Sequence, residues 1–213
     1  MLSVVIPTLN AAASLRGTLA SIATADEVVV SDGGSSDGTQ TLAASLGARV
    51  IAAPRGRGPQ LAKGVAAARG DLLLLLHADT RLATGWRDVQ LDPGQAGYFR
   101  FALDSNEARA RQIERLVGWR CRKLALPYGD QGLLIHRDLL DAIGGIRPLP
   151  LMEDVDLIRR LGRWRLLAVD IAATTSATRW QREGWYRRSL RNLSCLTLYF
   201  MGVPPRLIAR LYG

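Results

Sequence analysis

Short runs of unbroken apolar residues recur through the first 80 positions: LSVVI (2–6), EVVVS (27–31), ARVIA (48–52) and DLLLLLH (71–77). Runs that stay apolar, rather than alternating with polar residues, suit strands covered on both faces. Between them the spacing becomes helical. Leu15, Leu19 and Ile22 fall on one helical face. Asp37 is placed to cap GTQTLAASL, and Gly47 to end it. Pro59 stands where a third helix starts and Gly70 where it stops. The order β-α-β-α-β-α-β predicts an α/β fold with a parallel, doubly wound sheet. Such sheets bind ligands beyond the carboxyl ends of their strands.

The later pattern is less regular. AGYFRFAL (96–103) predicts a strand, and SNEARARQIERLVGWRCRKL (105–124) an exposed basic helix. GLLIH (132–136) predicts a short strand, followed by the helix RDLLDAIGG with a glycine stop. MEDVDLIRRLG (152–162) predicts a helix with three carboxylates near its start, and WRLLAVD (164–170) a final strand. From Arg182 onward one or two amphipathic helices are expected, broken by Pro204 and Pro205. No repeat and no long linker divides the 213 residues.

Composition changes this picture in two ways. Twenty-eight Lys and Arg against nineteen Asp and Glu give a net charge of +9, which suits an anionic partner such as a nucleotide or an anionic membrane surface. The excess is uneven: Gly184 to Gly213 holds five arginines and no carboxylate. With only two cysteines, no disulfide framework or zinc spacing, no secretion signal and no transmembrane-length run, the expected location is the cytoplasm.

The unusual polar clusters sit at the predicted strand ends: PTLN (7–10), SDGGSSDGT (31–39), PRGRGPQ (54–60) and HADT (77–80). Asp32, before Gly33 and Gly34, is placed to accept from a base N–H or a ribose hydroxyl; an ordinary turn capped by Asp37 explains the same residues. Asp79 either holds Mg²⁺ or Mn²⁺ against a diphosphate or caps a segment beginning near Leu82. Arg55 and Arg57 are placed to meet phosphate at a helix start, or belong to a solvated loop. Glu153, Asp154 and Asp156 either favour the helix dipole or supply a general base. Asp130 and Gln131, in PYGDQG, suit recognition of hydroxyls or form a plain turn.

Together, SVVIPTLN, VVVSDGGSSDGT, HADT and the later GG-(7)-MEDVDLIRRL resemble the family 2 glycosyltransferases, enzymes of the GT-A fold. The family's elements are an I-P-x-x-N opening, a D-D-G-S-x-D-G-T nucleotide loop, a D-x-D metal motif and a late E-D. The likeness runs to about Trp180. Gly33 stands where many relatives carry a second Asp, and His77 replaces the first Asp of D-x-D. SATRW (176–180) matches the Q-x-x-R-W of processive relatives with Ser176 for Gln, which argues against a polymerase. GRG-x-Q, LHADT, PYGDQG and PLMEDVDL further resemble the small bacterial glycosyltransferases of arsenosugar biosynthesis.

The resemblance implies a Rossmann-like, mostly parallel sheet with C-terminal amphipathic helices. It implies a GT-A domain over 1–180, with a nucleotide half to about 95 and an acceptor half from 96, and a helical segment over 181–213 packed on the domain or on a membrane surface. It implies inverting transfer from a nucleotide sugar, UDP-linked ahead of GDP- or dTDP-linked, to a small-molecule or lipid-linked hydroxyl. Pro7, Thr8, Asn10, Asp32, Gly33 and His77 would meet the nucleotide, Arg57 and Lys63 the diphosphate, and Asp79 a Mn²⁺ or Mg²⁺ ion. Asp154 would be the general base, Glu153 would orient it or help hold the acceptor, and Asp130 and Gln131 would stand at the sugar or acceptor. Further expected partners are an anionic membrane or a second subunit. A nucleotidyltransferase would need a Gly-rich basic loop after its first strand, and PTLNAAASLRG is not one. A basic nucleic-acid module would not centre its crevice on Asp32, Asp79, Glu153 and Asp154, so nucleic acid is not an expected partner.

Overall fold

The computed structural model describes residues 1–212. Its first strand, β1 (Leu2–Thr8), is buried at every position, because it lies inside the sheet with a helical layer on each side. Parity sorts its side chains. Val4 and Ile6 enter one core with Val30, Leu74 and Leu76. Val5 enters the other with Val29, Leu73 and Leu75. The five leucines therefore feed both cores at once.

β1 pairs in parallel with β2 (Glu27–Asp32) and with β4 (Leu72–Leu75), and β2 pairs in parallel with β3 (Arg49–Ala52). α1 (Ala12–Ser21) and α2 (Thr39–Ser45) carry the chain outward through β2 and β3. α3 (Arg57–Ala67) then carries it back to the other side of β1. The switch point lies between β1 and β4, where a crevice opens at the strand ends.

The second half completes an eight-stranded sheet of order β3-β2-β1-β4-β7-β6-β8-β5. β6 (Ala96–Leu103) and β8 (Leu166–Thr175) are parallel to each other. β7 (Leu133–His136) runs antiparallel to both β4 and β6. β5 (Thr80–Leu82) closes the edge antiparallel to β8. α4 (Ala108–Leu124) covers β6, while α5 (Arg137–Ala142) and α6 (Glu153–Leu161) complete the second core. α7 (Thr178–Glu183), α8 (Trp185–Phe200) and α9 (Pro205–Tyr212) follow. Among the described residues no helix is long and apolar enough to cross a membrane.

Several sequence expectations are corrected. Asp37 does not occupy the cap of α2; Gly38 does, at φ 85°. Asp37 instead accepts from Thr39 N and, at 3.0 Å, from Ala12 N at the start of α1. Pro59 is the third residue of α3, and that helix ends three residues before Gly70. Gly70 is needed for a different reason: a Cβ there would lie 2.7 Å from Met1 O and Ser3 N. The segment at Leu82 is strand β5, so Asp79 caps no helix there. The final strand does not stop at Asp170. The register slips between Phe99 and Arg100, which pair with Val169 and Ala172, so Asp170 and Ile171 bulge out. Asp170 pairs with Arg100 at 2.8 Å at this bulge. The C-terminal region forms three helices, the first beginning at Thr178 and so crossing residue 180.

The α3–β1 contact makes a testable point. A Cβ on Gly64 would fall 2.4 Å from Val5 Cγ1. Gly to Ala within a helix ordinarily gains about 1 kcal/mol. Here overpacking costs about 1–3 kcal/mol and outweighs that gain. Gly64→Ala is therefore expected to lower the urea midpoint; a raised midpoint would show that the contact is loose.

Candidate active site

At the strand ends, Asp32 organises the loop after β2. Its Oδ2 accepts from Thr8 Oγ1 at 2.8 Å and Ser35 Oγ at 2.5 Å. Its Oδ1 accepts from Gly34 N, Ser35 N and Gln40 Nε2. Burial opposes the charge, but the Ser35, Thr8 and Gln40 donors hold the carboxyl below its ordinary value. With five protein donors, Asp32 shapes the loop first. A contact from it to a base or ribose requires exchange of one of them.

Asn10 sits at φ 50°, a conformation asparagine tolerates, and its Oδ1 accepts from Ser36 N. Gln60 completes this corner. Buried on α3, its Nε2 donates to Thr8 O and, at 3.0 Å, to Ser31 O. A Cβ on Gly33 would meet that same Nε2 at 3.0 Å, so the missing second Asp leaves room for the Gln60 bridge. Pro7 continues β1 in register with Ser31.

Beside this corner a pocket of about 120 Å³ is lined by Arg57, His77, Asp79, Asp130 and Asp154. Five residues named from the sequence thus converge from four separate segments. Thr175, Arg179, Trp180, Arg188 and Asn192 complete its far wall. That wall was missed because it is built by the end of β8 and by helices α7 and α8; its one sequence signal was the Arg-Trp pair of SATRW. Pro7, Thr8, Asn10, Asp32, Gly33, Lys63, Gln131 and Glu153 are not among the lining residues. Lys63 is exposed, about 9 Å along α3 from Arg57 by helical rise. Gln131 is buried, donating to Phe99 O and accepting from Tyr128 N.

His77 and Asp79 stand in the tight turn that leaves β4, closed by Thr80 N donating to His77 O. Ser176 N donates to Asp79 O at 3.1 Å and ties that turn to β8. Burial, aided by the Arg57 charge, pushes His77 down to about 4, although Asp79 and Asp154 pull the other way. The imidazole is therefore neutral near pH 7 and keeps one nitrogen lone pair.

The two carboxylates across the pocket differ. Asp154 Oδ2 accepts from Gly129 N at 3.0 Å and Oδ1 from Val155 N at 2.8 Å. Burial raises it, but Arg57 and these N–H groups prevail and hold it below the ordinary range. Asp130 Oδ1 is buried and, among the described residues, has no hydrogen-bond partner. Burial, with Asp154 and Asp79 nearby, pushes Asp130 up to about 6. Glu153 lies behind the pocket beside Leu61, Leu157 and Ile158. Its Oε1 is 2.9 Å from Arg57 Nε, yet burial outweighs that pairing and pushes it up to about 7.

A cation site fits only in part. Among the described residues no group of three or more His, Cys, Asp and Glu could hold a metal ion. Asp79, with neutral His77 beside it, offers a partial shell of the kind Mg²⁺ and Mn²⁺ complete with phosphate oxygens and water.

Glu153 sets a pH dependence. The unfolded chain releases this proton near 4.5, the folded protein near 7. Stability from the protonated form is fully present below the lower value and lost as pH rises through the higher one. Asp130 has the same sign, so the comparison is with Glu153→Gln, in which Asp130 cancels. The melting temperature of wild type relative to Glu153→Gln is expected to fall across that window and level off above it. A constant difference would mean that Glu153 is ionised throughout.

The sequence model described as glycosyl transferase family 2 matches residues 3–128, more than half of the chain. An uncharacterized glycosyltransferase of Mycobacterium tuberculosis (strain ATCC 25618 / H37Rv) is 38% identical over 84 residues, 39% of this chain and 38% of that relative. The match thus spans well under half of the curated relative's length. Among solved structures, glucosyl-3-phosphoglycerate synthase from Mycobacterium tuberculosis, in complex with Mn²⁺, UDP and glucosyl-3-phosphoglycerate, superposes with a TM-score of 0.58 at 22% identity, over 81% of this chain and 70% of that one. Mannosyl-3-phosphoglycerate synthase from Rubrobacter xylanophilus gives 0.60 at 20% identity, over 95% and 75%. These neighbours share the GT-A fold, and the chain belongs to glycosyltransferase family 2.

Proposed function

We propose that the protein is an inverting glycosyltransferase that moves a sugar from a UDP-linked donor to a hydroxyl of a small-molecule or lipid-linked acceptor, in the cytoplasm. The observation that carries this reading is the convergence of Arg57, His77, Asp79, Asp130 and Asp154 on one pocket beside the Asp32 loop. The Mn²⁺ and UDP found with the glucosyl-3-phosphoglycerate synthase support a metal-assisted nucleotide donor. The motifs shared with the arsenosugar enzymes support a small acceptor.

The nucleotide would lie over Pro7, Thr8, Asn10 and Gly33, with the Asp32 loop beneath it. Arg57 and Arg179 would face the diphosphate. Asp79, with His77, would hold Mn²⁺ or Mg²⁺, which supplies charge neutralisation as the diphosphate departs. The acceptor hydroxyl must lose its proton while attacking the anomeric carbon from the opposite face. Asp154 takes that proton: its carboxylate is kept ionised and its position fixed by two backbone donors. Asp130 Oδ1, buried and unpartnered, is available to accept from a sugar or acceptor hydroxyl.

Thermal denaturation tests the donor site. UDP is expected to raise the melting temperature, more so with Mn²⁺, because ligand binds only the folded state. Asp79→Ala should abolish the metal-dependent part alone. Equal shifts with and without Mn²⁺ in both proteins would rule out the metal role.

The base is tested by UDP release from a panel of UDP-sugars. Asp154→Asn is expected to keep the UDP shift but lose turnover by about 10²-fold or more. Near-normal turnover would move the base to Asp130, for which Asp130→Asn is the matching variant.

A further inference from the structure

We infer that the outward faces of α4 and α8, with α9, form one docking surface for an anionic lipid bilayer. On α8, Tyr186, Leu190, Leu193, Thr197 and Phe200 recur at helical spacing on the exposed side, with Leu190 65% and Leu193 58% exposed. On α4, Gln112, Leu116 and Trp119 form a second exposed stripe, with Leu116 65% and Trp119 52% exposed. The stripes run side by side. Tyr186 Oη donates to Gln112 Oε1 at 3.0 Å at one end, and Leu124 and Phe200 line one open groove at the other. Met201, 74% exposed, follows α8 directly, and Leu207 and Leu211 of α9 are exposed as well.

This exposure is not loose packing. The opposite side of each helix is firmly buried: Ile113, Val117 and Cys121 on α4, and Trp185, Cys195 and Leu196 on α8. Ile208 of α9 is fully buried. The outward apolar residues are therefore left over once the core is complete, and contiguous exposed apolar area of this kind marks an interaction site.

Charge decides what covers it. Exposed Arg109, Arg115 and Lys123 share the α4 face with Leu116 and Trp119; Arg187, Arg206 and Arg210 are exposed on α8 and α9. α8 and α9 contain no carboxylate, and Glu114, the only one on α4, is tied to Arg111 at 2.7 Å. A second copy docked on the same face would bring these cations against their own equivalents. Lipid headgroups of opposite charge, above acyl chains that receive Leu and Trp, match both features. Arg188 and Asn192 on the inner side of α8 line the active-site pocket, so one helix joins the bilayer face to that site.

The inference does not rest on the donor or the reaction, and its test is separate from theirs. Flotation is measured with phosphatidylglycerol-containing vesicles and with pure phosphatidylcholine vesicles, at low and raised salt. The full chain is expected to float with the anionic vesicles at low salt, release at raised salt and ignore the neutral ones. Leu190→Ser with Leu193→Ser, and separately Trp119→Ser, should weaken partitioning more than tenfold while the melting temperature and the UDP shift stay unchanged. These positions are exposed, so folding should survive. Two results would overturn the inference: absence of flotation with anionic vesicles at low salt, or a stable dimer in solution that the Leu190/Leu193 variant converts to monomer.

Discussion

Buried carboxylates gathered around one crevice must find positive charge or protons, and Arg57 is the cation that Glu153 and Asp154 share. Two unit charges 4 Å apart interact by about 4 kcal/mol at an effective dielectric of 20. Crowding Asp130, Glu153 and Asp154 together without a counter-charge would force protonation of several. Arg57, at the first turn of α3, pairs with Glu153 from the pocket's edge and lowers Asp154 through its field. The result is a graded set. Asp154 stays ionised, while Asp130 and Glu153 hold their protons to higher pH.

Arg57 is useful only if α3 and α6 keep their relative positions, and the backbone is built for that. A Cβ on Gly58 would fall 2.3 Å from Leu149 O, so the start of α3 lies directly on the 147–149 loop that feeds α6. Met152, just before Glu153, sits at φ 65°, a strained setting for a residue with a Cβ. Its side chain is held in a small core with Val155, Cys195, Leu196 and Ile208. Packing of α8 and α9 therefore sustains the turn that aims Asp154. Gly129 fills a similar role opposite: a Cβ would lie 2.6 Å from His77 Nε2, and its N–H holds Asp154.

The nucleotide half of the fold was legible because local signals agreed with the global one. Apolar runs, glycine loops and helical spacing all pointed to the β1–β4 arrangement, and the polar clusters fell at the strand ends. The remainder depended on contacts distant in sequence. β5 is three residues long and exists only because β8 extends past the Asp170 bulge to meet it. Trp180, Arg188 and Asn192 reach the pocket only when α7 and α8 fold back over it. Gln131 looked like a recognition residue, and Gln60 carried no assigned role. Yet both are buried amides that bind backbone carbonyls, a use that only the fold reveals.

The difference between Asp130 and Asp154 bears on which would act as base. An unpartnered buried oxygen with a raised pKa at first favours Asp130. Asp130, however, starts at about 6, so a fraction of it already holds a proton near pH 7, and any donor charge left uncompensated by the metal and the arginines would enlarge that fraction. Asp154 starts below the ordinary range and has room to rise while staying ionised. Its two backbone donors also keep it fixed during that rise. Environments that push two neighbouring carboxyls apart separate their tasks. On the proposed reading, Asp154 removes the proton, and Asp130, in either protonation state, orients a hydroxyl beside it.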